Sequence, residues 1–142
     1  MAEDELRQAM MVLETYEAQL EALNRQTRLL QVSLEDTVRA RDAFKALANA
    51  KEGDEVLIPV GASSFVHAKV TAKRTAIVGI GNRISAEKDL DEAVAFMSES
   101  VEEISSALRE SLVTLEEVEK MTTNLSMAIQ NEYRSRQQQA MQ

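Results

Sequence analysis

Apolar residues along the first third of the chain recur in alternating steps of three and four: Leu6, Ala9, Leu13, Tyr16, Leu20, Leu23, Thr27, Leu30, Leu34, Thr37, Arg41 and Phe44. Nine of these twelve positions are apolar, and the rhythm holds for nearly six heptads, which is a coiled-coil seam rather than one face of a globular helix. A helix is therefore expected from about residue 3 to residue 50, roughly 70 Å long at 1.5 Å per residue, with Gly53 as its left-handed stop. The same rhythm returns at Leu90, Val94, Met97, Val101, Ile104, Leu108, Ser111, Leu115, Val118, Thr122, Leu125 and Ile129, ten of them apolar. Asp89 and Glu92 read as a capping-box-like start for this second helix. It is expected to run to about Arg136, with Gln137 to Gln142 as a frayed polar tail.

Between the arms the period changes to two. Val56 to Val60 is a β-branched apolar run, and Phe65 to Thr71 alternates, with Val66, Ala68 and Val70 on one side and His67 and Lys69 on the other. Gly61-Ala62-Ser63-Ser64 is turn composition, as is Gly81-Asn82-Arg83 between a third strand, Thr75 to Ile80, and a fourth, Ile84 to Lys88. The chain's one proline, Pro59, belongs at an edge or a bulge, because proline cannot donate to a ladder. All four glycines fall between residues 53 and 81, which leaves both arms free of helix breakers. The fold class is α+β: a long antiparallel two-helix coiled coil with two β-hairpins inserted. Its parts are 1–52, an N-terminal helix; 53–89, the hairpins; and 90–142, a C-terminal helix and tail.

Two arms of nearly equal length should fold back on each other. A register in which paired residue numbers sum to 138 sets eleven of the twelve seam positions of each arm against a seam position of the other, from Ala9 with Ile129 to Phe44 with Val94. It also matches Thr27 with Ser111 and Tyr16 with Thr122, polar layers of the kind that fix register. Four short strands cannot close a core, so their edges are expected to pair with other subunits.

Charge and chemistry narrow the function. The arms hold 9 acids and 6 bases (residues 1–50) and 10 and 4 (90–142), against 5 and 6 in the insert; acidic arms repel phosphate and anionic lipid, so neither nucleic acid nor membrane is expected as a partner. The acidic opening MAEDELRQ and the lack of a long apolar run lead to the expectation of a cytoplasmic protein. There is no cysteine and one histidine, His67, on a polar strand face, so no metal or other cofactor is expected. Ser63 and Ser64 are turn residues, and Glu102, Glu103, Glu116 and Glu117 form a solvated helix face with nothing to raise a pKa. The chain is not expected to be an enzyme.

Six of the seven methionines, Met1, Met10, Met11, Met121, Met127 and Met141, lie in the outer third of the arms. On distribution alone, ordinary packing beside the seam outweighs the alternative of an adaptable surface for non-native protein. A resemblance reverses that balance. Val56-Leu57-Ile58-Pro59-Val60-Gly61, then Ala62-Ser63-Ser64-Phe65, Ile77-Val78-Gly79-Ile80-Gly81 and Asp91-Glu92-Ala93, set between two seam-patterned arms, resemble the prefoldin family in its archaeal alpha-type subunits. The second hairpin, Thr75 to Lys88, separates that type from the one-hairpin beta type.

The resemblance implies an ATP-independent molecular chaperone subunit in a hexamer of two alpha and four beta subunits, its strands woven into a β-barrel base. The coil tips would hold unfolded or nascent polypeptides and deliver them to a group II chaperonin. Oligomerisation would then fall to Val56, Ile58, Val60, Phe65, Val66, Val70, Ile77, Val78 and Ile80, and client binding to Leu6, Met10, Met11, Leu13, Met127, Ile129 and Tyr133. The Gln-rich end from Gln137 departs from the family in lacking a hydrophobic cluster. The competing reading is a structural, self-assembling, filament-forming protein of the same family.

Overall fold

A computed structural model describes residues 1–141. The element order is α1 (Glu3–Asn49), β1 (Glu55–Gly61), β2 (Ser64–Lys69), β3 (Thr75–Gly81), β4 (Ile84–Asp89) and α2 (Leu90–Ala140), so the expected α+β arrangement of two long helices and two antiparallel hairpins is the observed one. The residues group into two units, one made of Met1–Val32 with the stretch from Ser105 onward, the other of Ser33–Ile104.

In the first unit the helices run antiparallel. The Thr27 and Ser111 hydroxyls share a hydrogen bond of 2.7 Å, and both residues are buried. This is the register in which paired numbers sum to 138. Leu6, Val118 and Ile129 are buried at seam positions, and Leu13, Leu20, Leu23 and Leu30 are half-buried. The second expected polar layer is not a matched pair of that kind: Thr122 turns its hydroxyl back to the Val118 carbonyl at 2.7 Å, the local bond that threonine makes inside helices.

A shared buried bond has a measurable signature. Thr27→Val should lower stability by about 1 kcal/mol, because it strands the Ser111 hydroxyl, whereas adding Ser111→Ala should recover most of that loss. Thermal unfolding of the two single variants and the double variant checks this; losses that simply add would contradict it.

The second unit holds the hairpins. β1 pairs with β2 and β3 with β4, as two separate two-stranded sheets. Every pair of the second hairpin lies twenty positions beyond its counterpart in the first, Thr75↔Asp89 matching Glu55↔Lys69. Each ladder slips next to its turn, between Pro59 and Gly61 and between Gly79 and Gly81, so Val60 and Ile80 are bulged residues. Pro59 thus stands beside a bulge, where its missing donor is tolerated. The turns are tighter than expected, two residues each: Ala62 and Ser63 have φ of 50° and 55°, Asn82 and Arg83 of 52° and 61°. Two consecutive left-handed residues match the strand twist, as in a type I′ turn.

Two local expectations are corrected. Gly53, with φ of 89°, does not stop α1, which ends at Asn49. It turns the chain afterwards, its amide donating to Val70 O at 2.8 Å while the Val70 amide returns to Asp54 O at 2.9 Å. Asp89 closes β4 opposite Thr75 and directly precedes Leu90, so α2 starts where expected, with Leu90 N–H taken by Arg74 O at 3.2 Å. The helix also continues past Arg136 to Ala140; of the expected frayed tail only Gln142 lies outside the described residues.

Arg74 is the residue that binds this unit's joints together. Its Nη2 donates to Ala48 O at 2.8 Å, in the last turn of α1, where orphan carbonyls and the negative helix end favour a cation. Its own carbonyl receives the start of α2.

Candidate functional site

No concave catalytic site is assembled from the residues weighed for chemistry: His67 is exposed opposite Leu57, and Glu102, Glu103, Glu116 and Glu117 are all exposed. What stands out is apolar surface in two places, one in each unit.

On the hairpins, residues directly opposite across a ladder share a face. Val56 with Ala68 and Ile58 with Val66 form one side of the first sheet, Leu57 with His67 and Pro59 with Phe65 the other. Val56, Ile58, Ala68 and Val70 line an open cavity of about 190 Å³ shared with Leu47 and Leu90, which leaves Val56 and Val70 half-buried. The rest of the expected assembly set is exposed, Ile58, Val60, Phe65, Val66, Ile77 and Ile80 among them, with Ile77 at 69%. Val78 differs: at 1% exposure its side chain is already covered within its own chain.

Sequence reasoning missed Leu57 and Ile84, both exposed. The signal was present in the unbroken run Val56-Leu57-Ile58, since a strand apolar on both faces is one that expects cover on both. Both strands of each sheet keep an unpaired edge. Around the second hairpin, the Thr75 hydroxyl, at 2.8 Å, and Lys73, at 3.4 Å, hold the Glu87 carboxyl below its usual range.

At the outer end of the arms the seven expected client residues separate by environment. Leu6 and Ile129 are buried in the seam and Leu13 is half-buried, while Met10, Met11, Met127 and Tyr133 are exposed. Tyr133 directs its hydroxyl at Met10 Sδ, 3.4 Å away across the two helices. Val12 and Met121 add to the exposed apolar surface, and Met11, Val12 and Ala18 line a shallow groove beside Glu14 and Thr15. Below the methionines Glu132 is held by Arg136 Nε at 3.2 Å and by the Met1 amino group at 3.3 Å, which keeps its carboxyl below the usual range.

Among the described residues no helix is long and apolar enough to cross a membrane. The prefoldin family, described as "Prefoldin subunit", matches residues 16–135. The chain belongs to the prefoldin family. Its members are chaperones rather than enzymes.

Two archaeal prefoldin relatives fix the comparison. Prefoldin subunit alpha of Methanothrix thermoacetophila is 35% identical over 95 residues, 67% of this chain and 62% of that protein. Prefoldin subunit alpha 1 of Methanocaldococcus jannaschii is 33% identical over 138 residues, 97% of this chain and 94% of that protein. The alignment therefore spans less than two thirds of the first relative and nearly all of the second. Among solved structures, filamentous PFD from Methanocaldococcus jannaschii, determined by cryo-EM, matches with a TM-score of 0.56 at 26% identity, over 91% of this chain and 98% of that one. The prefoldin beta subunit of Thermococcus strain KS-1 matches with a TM-score of 0.61 at 18% identity, over 90% and 91%, a likeness of fold alone.

Proposed function

We propose that this chain is an alpha-type prefoldin subunit that captures unfolded or nascent polypeptide in the cytoplasm, without nucleotide, and delivers it to a group II chaperonin. In this reading residues 53–89 are the assembly base and 1–52 and 90–142 the arms, in a hexamer of two such chains with four beta subunits. The observation that carries it is the state of the arm ends. The seam is already sealed by Leu6, Leu13 and Ile129, yet Met10, Met11, Met121 and Met127 remain exposed beside it.

Side chains that seal nothing in their own chain and are unbranched and polarizable suit a surface that must accept many apolar shapes. One such end binds weakly, but several joined in one assembly make each later contact intramolecular. The hairpin surface supplies the means of joining, through Ile58, Val60, Phe65, Val66, Ile77 and Ile80 and the unpaired strand edges.

The test is to mix this chain with an archaeal prefoldin beta subunit and follow light scattering of a chemically unfolded client diluted into buffer. The reading expects stoichiometric suppression of aggregation that is the same with and without ATP. Suppression that requires ATP, or none at any ratio, would overturn it.

A further inference from the structure

Sulfur is unevenly placed among the apolar positions. The seam of the outer arms is built from Leu, Ile, Val and Ala with its Tyr, Thr and Ser layers, and holds no methionine; the one seam methionine, Met97, is half-buried and lies in the other unit. Met10, Met11, Met121 and Met127 stand beside the seam instead, 42%, 63%, 42% and 56% exposed. The Thr27–Ser111 bond sets residues whose numbers sum to 138 at one level. Met11 is thus level with Met127, and the four fall within about 10 Å along the coil at 1.5 Å per residue. The hairpins, residues 53–89, contain no methionine.

A thioether sulfur open to water is a nucleophile for peroxides. Its lone pair attacks one oxygen of hydrogen peroxide, the O–O bond breaks as the S–O bond forms, and the hydroxyl proton passes to the departing hydroxide, which leaves as water. The sulfur loses two electrons and the peroxide gains them. An unbranched apolar contact becomes a polar, chiral sulfoxide, the change most damaging to a surface that works by accepting apolar shapes. The seam below is untouched, because Leu and Ile do not react.

The four sulfurs are not equivalent. Tyr133 donates its hydroxyl to Met10 Sδ at 3.4 Å. Attack on peroxide leaves positive charge on the sulfur, and a donor aimed at the same atom opposes that charge. Met121 is equally exposed, and its sulfur accepts no hydrogen bond among the described residues.

We infer that Met11, Met121 and Met127 are a peroxide-sensitive modification site, whose oxidation to sulfoxide switches off client capture while the coil and the hairpins persist, Met10 being shielded by Tyr133. Thiol-dependent sulfoxide reductases reverse the step, two thiols giving one disulfide and water. The loss of capture rests on the proposed role of the arm ends; the order in which the sulfurs react does not.

In the test the full-length chain is treated with graded hydrogen peroxide, quenched with catalase and mixed with untreated archaeal beta subunit. Peptide mass spectrometry follows each methionine, and light scattering follows protection of an unfolded client. Met11 and Met127 should oxidise faster than Met10, and Met121 about twofold faster than Met10, the scale of one weak hydrogen bond given up. Tyr133→Phe should bring Met10 level with Met121. Protection should be lost as Met11, Met121 and Met127 are filled, with the helical circular dichroism unchanged, and should return after incubation with both sulfoxide reductases and dithiothreitol.

Protection that survives full oxidation of the three, loss that follows Met141, 87% exposed, or loss of helix in step with loss of protection would each overturn the inference. So would failure of the reductases to restore protection, or equal rates at Met10 and Met121 in the unaltered chain. An untreated chain that protects no client overturns the capture reading and this inference with it, whereas one that protects equally before and after oxidation overturns this inference alone.

Discussion

Replacing Met10, Met11 and Met127 with serine is expected to abolish suppression of client aggregation while leaving the mass of the assembled complex unchanged. All three are exposed beside a seam that other residues fill, so their removal opens no cavity, and surface substitutions of this kind alter stability little. The effect on binding is large because it is repeated. Truncating one buried methionine-sized contact forfeits on the order of 1.5–3 kcal/mol of apolar burial, and each arm loses three such contacts at once. A variant that still protects clients at the original ratio would remove the arm ends from the mechanism. Leu6 and Ile129 form a useful contrast, since serine there should unfold the end of the coil, and a loss of activity would then come with a loss of helix.

The second large effect is expected at the hairpins. Val60→Asp should prevent assembly, so that the variant elutes far below the mass of the complex. Val60 is the bulged residue of β1, exposed beside Pro59, with no partner across its own ladder. If that side chain is covered by another subunit, a carboxylate there must be desolvated without a counter-charge, which costs several kcal/mol per subunit. In the lone chain the same substitution is harmless, because the position is open to water. The combination separates the readings: loss of assembly with the helices intact supports an interface, and a full-mass oligomer would show that Val60 lies outside it.

Much of this is legible in the sequence alone. The seam spacing placed both helices to within a few residues, and the coincidence of Thr27 with Ser111 fixed the register of the outer arms, because two polar residues in an apolar stripe have one alignment that satisfies both. The hairpins followed from the change of period and from Gly61 and Gly81. What was not legible depends on partners distant in sequence. Arg74 caps a helix that ended some 25 positions earlier by binding Ala48 O, and no local rule pairs those residues. The hairpin faces were incompletely seen: Phe65 and Val66, like Ile77 and Val78, already come from both sides of their strands, yet Leu57, on the same face as Phe65, and Ile84 were passed over.

The two apolar surfaces also explain one another. A chain whose strands seal their own edges would have no reason to leave Ile77 and Phe65 in water, and a chain that acted alone would gain little from a few exposed methionines. In the proposed reading, gathering copies through the hairpins would turn weak ends into a strong grip.

The mass of the native complex is the measurement that bears most directly on this account. Sedimentation or native mass spectrometry of the chain, alone and with an archaeal beta subunit, should give a closed oligomer containing both subunits and leave no stable population at the single-chain mass of 15.8 kDa. A well-folded monomer that persists at that mass, with or without the second subunit and across the concentration range, would contradict it.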